Sequence, residues 1–185
     1  MGDSLLRLLS LKSVLRQGWT RHPIPPAAIE SVADHSYGVA LLAWVLCPDG
    51  LDREAVMELA LLHDLAEAIT GDLTPADNVP VVEKRRSEQL ALGHLLDGHP
   101  VQDKALGRLA EYSHQSSPEA RFVKAMDKLD MALQSLAYEG HYGVDLSEFR
   151  ESARAVLQAS GYAGLVFRTA ESESRRPGFL ERPFP

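Results

Sequence analysis

Cysteine is almost absent from this 185-residue chain: Cys47 stands alone, so no internal disulfide can form, and a reducing, cytoplasmic setting is expected. Cys47 follows the apolar run Leu41–Leu46 and reads as a small core residue rather than a nucleophile. Long apolar runs are missing too, and none approaches the ~20 residues of a membrane span. Residues 4–15 lack the basic segment and cleavage site of a signal peptide, and position 6 is Leu where N-myristoylation needs Ser or Thr. No membrane partner is expected. A basic excess is also lacking: 19 Lys and Arg face 26 Asp and Glu, a net charge of -7, which argues against a nucleic-acid polymer as partner. A small anionic substrate stays compatible if a metal and a few arginines make the site locally positive. Strand signals are scarce, since Val, Ile and Thr never alternate for long with polar residues. No internal repeat, low-complexity linker, Rossmann pattern or P-loop occurs.

Leu and Ala instead recur at helical spacing, and the length suits one domain. The expected fold is all-α, an irregular single-domain helical bundle. Helices are expected over 3–15, 34–46 (stopping before Pro48), 53–69, 80–97, 101–115, 117–139, 147–159 and 162–170. Asp52 is the N-cap of the third, and Ser117-Pro118-Glu119 reads as N-cap, N1 and N2 of the sixth. Residues 1–170 would form the catalytic domain and 171–185, with three prolines, a tail at the surface or an oligomer interface.

His63 and Asp64 are adjacent in the apolar stretch Leu59–Glu67, where an ionisable pair needs a partner. Such a dipeptide alone most often belongs to a satisfied core histidine, but its neighbours favour chemistry. Glu67 lies four residues after His63, on one helical face. Asp64 is about 100° round the helix, and Asp72 follows Gly71 at the helix end. His35 stands at a loop-to-helix junction and Asp127 on the apolar-patterned sixth helix. Two His and two Asp would form an N2O2 site suited to Mn, Co, Fe, Ni or Zn, and the lack of thiolates argues against a structural zinc.

This order of His, His-Asp and Asp resembles the HD-domain phosphohydrolases, and more narrowly their YfbR-like 5'-deoxynucleotidase branch with its eukaryotic relatives. The matching tracts are Leu11–Trp19, Glu30–Ser36, His63–Glu67, Thr70–Pro75 and Lys124–Asp130. The resemblance implies that His35, His63, Asp64 and Asp127 hold one divalent metal, that Glu67 and Asp72 are catalytic, and that Arg16 and Trp19 contact the substrate. Here Gln17 and Gly18 separate Arg16 from Trp19, where bacterial members of the branch carry them adjacent. In this setting Glu67 and Asp72 could divide proton transfer between them or help bind a second ion such as Mg. Arg16 suits bidentate phosphate recognition, or else caps the first helix. Trp19 stacks in or walls the sugar pocket or simply packs, and Thr74 touches substrate or serves its turn.

The expected reaction is therefore hydrolysis of deoxynucleoside 5'-monophosphates to deoxynucleoside and phosphate. One rival is a two-metal HD oxygenase or phosphodiesterase using His94, His99 or His114 for a second ion. Another is a non-catalytic nucleotide-binding module. Lys84-Arg85-Arg86 reads as the solvated face of the fourth helix. The second helix is apolar on several faces (Val39, Leu41, Leu42, Trp44, Val45, Leu46), more than a small core hides. With the dimeric state the resemblance implies, a homodimer is expected.

Overall fold

Ser31 starts the helix that carries the first histidine. Its hydroxyl accepts from the Asp34 N–H while the Asp34 carboxylate accepts from the Ser31 N–H, a reciprocal cap that stabilises a helix start by about 1 kcal/mol. The computed structural model describes residues 2–160, with side chains from residue 6 onward. The helices are α1 (Gly2–Leu9), α2 (Gln17–Thr20), α3 (Val32–Leu46), α4 (Arg53–Leu62), α5 (Glu67–Thr70), α6 (Val81–Leu95), α7 (Gln102–His114), α8 (Pro118–Tyr142) and α9 (Ser147–Ser160). Short 3-10 turns cover Ser10–Ser13, Pro26–Ala28 and Pro75–Asp77. Among the described residues there is no strand beyond one isolated bridge between Leu15 and Ser31, and no helix is long and apolar enough to cross a membrane. The all-α expectation holds. The expected helix over 162–170 and the tail over 171–185 lie outside the described residues.

α8 is the central element, packed against α3, α4, α7 and α9. Phe122, Val123, Met126, Leu129 and Ala132 are all fully buried on one apolar stripe at helical spacing. Truncating Phe122 to Ala there would cost about 3–5 kcal/mol. A second, smaller core gathers Ala66, Leu92, Leu95, Leu96, Ala105 and Leu109 between α6 and α7.

Several caps match the sequence: Asp52 accepts from the Glu54 and Ala55 N–H groups, and Ser117 accepts from Ala120 N–H ahead of Pro118. Three segments differ. The expected first helix gives way to a 3-10 turn after Leu9. The expected loop after Arg16 contains the short α2. The expected third helix, 53–69, does not run through: α4 ends at Leu62, with His63 as its C-cap. From there Leu65, Glu67, Ala68 and Ile69 donate to carbonyls three residues back, the tighter 3-10 pattern. His63 and Asp64 therefore sit where the helix tightens. Gly71, at φ 73, then takes a left-handed turn that a side chain would strain and sends Asp72 back toward Arg16.

Candidate metal centre and substrate cleft

Four of the expected residues converge from three parts of the chain. His35, from the first turn of α3, has no exposed surface, and His63 is nearly as buried. His63 Nδ1–H donates to the Ala60 carbonyl at 2.8 Å, and His35 Nδ1 bonds the Asp130 carboxylate at 2.7 Å. Each ring thereby turns its Nε2 inward. His63 Nε2 lies 3.2 Å from Asp64 Oδ2; His35 Nε2 lies 3.7 Å from Asp64 Oδ2 and 3.5 Å from Asp127 Oδ1. Both Nε2 atoms are buried without a hydrogen-bond partner, which is costly unless something else meets them. His35, His63 and Asp64 offer ligand atoms within 4.8 Å of one another, and Asp127 faces the same point. Two imidazole nitrogens and two carboxylates with held ring orientations are a donor set that fits a divalent transition ion.

The electrostatics agree. Burial and Arg16 work to lower the His35 pKa, but Asp127 and Asp130 outweigh them and push it up to about 9. The field that favours a proton on that ring favours a cation beside it. Burial works to raise the Asp64 and Asp127 carboxyls, yet both are held well below the usual carboxylate range. The neighbours responsible are His63 and Arg16 for Asp64, and Lys124 and Lys128 for Asp127. Both stay anionic.

Beside this point lies a cleft of about 450 Å³, lined among others by Arg16, Asp64, Glu67, Asp72, Thr74 and Asp127. Glu67 is 4% exposed and its Oε2 has no partner. Burial, then Asp64 and Asp72, push its carboxyl up to about 10, so it carries a proton at neutral pH. Arg16 Nη1 reaches Asp72 Oδ1 at 3.3 Å and Asp64 Oδ2 at 3.7 Å. Its backbone N–H bonds Glu30 O at 3.1 Å, which places it in the cleft rather than capping α1. Asp72 spends its other oxygen on the Gln17 N–H at 2.6 Å. Both Asp72 oxygens therefore fasten Arg16 and the start of α2.

Two of the expected cleft residues also have structural partners. Trp19 is 1% exposed, its indole N–H bound to Glu30 at 2.8 Å and its ring against Phe149 and Tyr138. It borders the cleft as packed wall, with no open face for stacking. Thr74 caps its 3-10 turn with Asp77 and also accepts from Arg21 at 3.0 Å, so turn and cleft roles coincide. The Lys84-Arg85-Arg86 reading needs correction. Arg86 is exposed, but Lys84 donates to the Leu73 carbonyl at 3.0 Å and Arg85 to Ser113 O at 2.8 Å. Lys84 thereby ties α6 to the loop after Gly71, and Arg85 ties it to the last turn of α7.

Other residues carry work that their sequence positions did not announce. Asp127 Oδ2 accepts from Tyr112 Oη at 2.9 Å and Lys124 Nζ at 2.8 Å, leaving Oδ1 for the centre. For Lys124 the i, i+3 spacing to Asp127 was the signal that could have found it; Tyr112 and Phe149 come from distant helices and gave no local signal. The histidines proposed for a second ion lie elsewhere. His94 meets Arg7 at 3.2 Å, His114 bonds Ala110 O, and His99 donates its N–H to Leu96 O. Among the described residues, neither group able to hold a metal includes them, or Glu67 with Asp72.

The HD-domain family model matches residues 8–162. The mouse (Mus musculus) 5'-deoxynucleotidase HDDC2 is 43% identical over 144 residues, 75% of this chain and 71% of its own length. The Danio rerio protein of the same name is 37% identical over 182 residues, 94% of this chain and 90% of its own. A conserved hypothetical protein from Pyrococcus furiosus superposes with TM-score 0.80 at 32% identity, over 93% of this chain and 99% of its own. With the His, His-Asp and Asp tracts folded onto one buried point inside the matched segment, this chain belongs to the HD-domain family.

Proposed function

We propose that the protein is a metal-dependent 5'-deoxynucleotidase that hydrolyses deoxynucleoside 5'-monophosphates to deoxynucleosides and inorganic phosphate. Relatives named 5'-deoxynucleotidase at 37–43% identity support the reaction class. The observation that carries it is the pair of unpartnered, buried His35 and His63 Nε2 atoms facing Asp64 beside Arg16. His35, His63, Asp64 and Asp127 would hold one divalent transition ion (Co, Mn, Zn, Fe or Ni). Bound there, it would lower the pKa of a water and neutralise phosphate charge.

The remaining chemistry belongs to the chain. Arg16 presents a planar fork to two phosphate oxygens, and Asp72 holds that fork in place. Glu67 is the proton carrier: neutral and buried at the cleft wall, it protonates the leaving 5' oxygen and recovers its proton from the attacking water. Asp72, with both oxygens engaged, serves recognition. A second ion near Glu67 and Asp72 is not favoured, because both Asp72 oxygens are already engaged by Arg16 and the Gln17 N–H. Thr74 contacts the substrate from the loop edge, and Trp19 backs the cleft.

A homodimer is proposed on the outer face of α3, where Tyr37, Leu41, Trp44 and Val45 stay exposed at 70%, 47%, 63% and 60%. The spacing i, i+4, i+7, i+8 makes one apolar stripe. A cytoplasmic setting rests on the free, buried Cys47. The test is phosphate release from deoxy- and ribonucleoside monophosphates, diphosphates and a phosphodiester, each with the five metals. Release from deoxynucleoside monophosphates above the rest is expected; none with any metal overturns the reading.

A further inference from the structure

We infer that Asp130 is a positioning residue of the metal centre: its carboxylate holds the His35 imidazole so that Nε2 faces Asp64 and Asp127, and Gly38 leaves the room it needs. The inference rests on the metal-centre reading above.

An imidazole has two nitrogens, and the centre needs a defined one. His35 Nδ1 meets Asp130 Oδ2 at 2.7 Å, in the short range of charge-assisted hydrogen bonds. That bond assigns the ring proton to Nδ1 and leaves the Nε2 lone pair for the centre. Nε2 lies 3.5 Å from Asp127 Oδ1 with no partner of its own. Asp127 and Asp130 are three residues apart on α8 and so share a face. One helix thus supplies a carboxylate to each side of the same ring. His63, in contrast, is held by a neutral carbonyl, Ala60 O. Of the two imidazoles, His35 alone is backed by an anion, which raises its basicity as a ligand.

Gly38 lies three residues after His35, on the face of α3 that meets α8. A methyl group built there would overlap Asp130 Oδ1. Glycine weakens a helix interior relative to alanine, and here its empty side lets the carboxylate come close to His35. A bulkier residue would displace the short Asp130 side chain, loosening the ring without altering any ligand. The plainer alternative is that Asp130 merely ties α8 to α3, which would move folding stability and leave metal affinity per folded molecule unchanged.

The full-length chain is stripped of metal and titrated with Co2+, following the visible absorption of the bound ion, for the parent, Asp130→Ala, Asp130→Asn, Gly38→Ala and Gly38→Ala/Asp130→Ala. Melting of each metal-free protein is measured alongside. Asp130→Ala should weaken Co2+ binding by about 10–100-fold, the usual effect of losing a partner behind a ligand. Asp130→Asn, which keeps an acceptor, should fall between. Gly38→Ala should weaken binding in the same direction, and the double variant should be no worse than Asp130→Ala, since no carboxylate remains to displace. At saturating Co2+ the KM for nucleotide should be unchanged. Parent-like Co2+ affinity in Asp130→Ala overturns the inference, and fully additive losses overturn the part assigned to Gly38. If Asp130→Ala does not fold, parent-like affinity in both Asp130→Asn and Gly38→Ala overturns it equally. A parent that binds no Co2+ removes the metal-centre reading itself; tight binding by parent and variants alike removes only this inference.

Discussion

Replacing Glu67 by Gln separates proton transfer from binding. The amide has nearly the shape of the neutral acid that burial, Asp64 and Asp72 maintain at this position, so fold and metal content should survive. What disappears is the exchangeable proton. A positioned acid or base typically contributes about 10²–10⁴-fold, equivalent to about 2.7–5.4 kcal/mol of barrier at 1.36 kcal/mol per tenfold. The upper half of that range is expected, because Glu67 Oε2 is buried with no competing partner. The metal-free protein should carry a second signature. With its folded pKa raised from 4.5 to about 10, the folded state holds a proton that the unfolded state releases. The stability this contributes is complete below pH 4.5 and is lost as pH rises toward 10. Glu67→Gln lacks that slope, so its metal-free melting point should gain on the parent's as pH rises from 5 to 9. The assay pairs phosphate release from a deoxynucleoside monophosphate with metal analysis of the same sample. A kcat within threefold of the parent from pH 6 to 9, at equal metal content, would refute proton transfer by Glu67.

Arg16→Lys should lower kcat/KM by about 10–100-fold, the weight of one or two hydrogen bonds to a charged group, and Arg16→Ala by more, with normal metal content in both. Parent-like kinetics on the best nucleotide would return Arg16 to a structural role. Metal affinity should rise about tenfold per pH unit from pH 6.5 until it levels near pH 9, because the ion displaces the proton held on His35; a flat profile in a proton-competition titration contradicts the site. Trp44→Glu should convert the dimer to monomer in sedimentation with the reaction intact, and a parent that is monomeric at all concentrations ends the dimer proposal.

Two caps and most of the candidate ligand set were legible because each is a local pattern. Asp52, and Ser117 with Pro118, show their roles within four residues, whereas the helix capped by Ser31 is expected from its pattern to begin at Asp34 rather than Val32. His63, Asp64 and Asp127 stand out as polar groups in apolar tracts, whereas His35, among Glu30, Ser31, Asp34 and Ser36, stands out only through the order of the tracts. The tightening at His63–Ala66 was not legible, because Leu59–Glu67 has continuous helical periodicity and the change from i-4 to i-3 hydrogen bonds leaves no mark on composition. Whether Trp19 stacks, walls or packs stays open at that level, because a sequence does not show that Phe149, 130 positions later, lies against its ring. Lys84 read as solvated because the Leu73 carbonyl it binds comes from the far side of a turn. Asp130 was visible as an acidic residue one helical turn beyond Asp127, but its partner on α3 is set only by how α3 packs on α8.

The most direct test strips the metal and restores Co2+ or Mn2+ stepwise to the parent and to His63→Ala, reading bound ion and phosphate release from one deoxynucleoside monophosphate in the same samples. Activity in the parent should rise in proportion to occupancy and saturate at one ion per chain, while His63→Ala should lose both together. Full hydrolysis in the chelated parent, or a His63→Ala protein that retains its ion and turns over normally, would contradict the account.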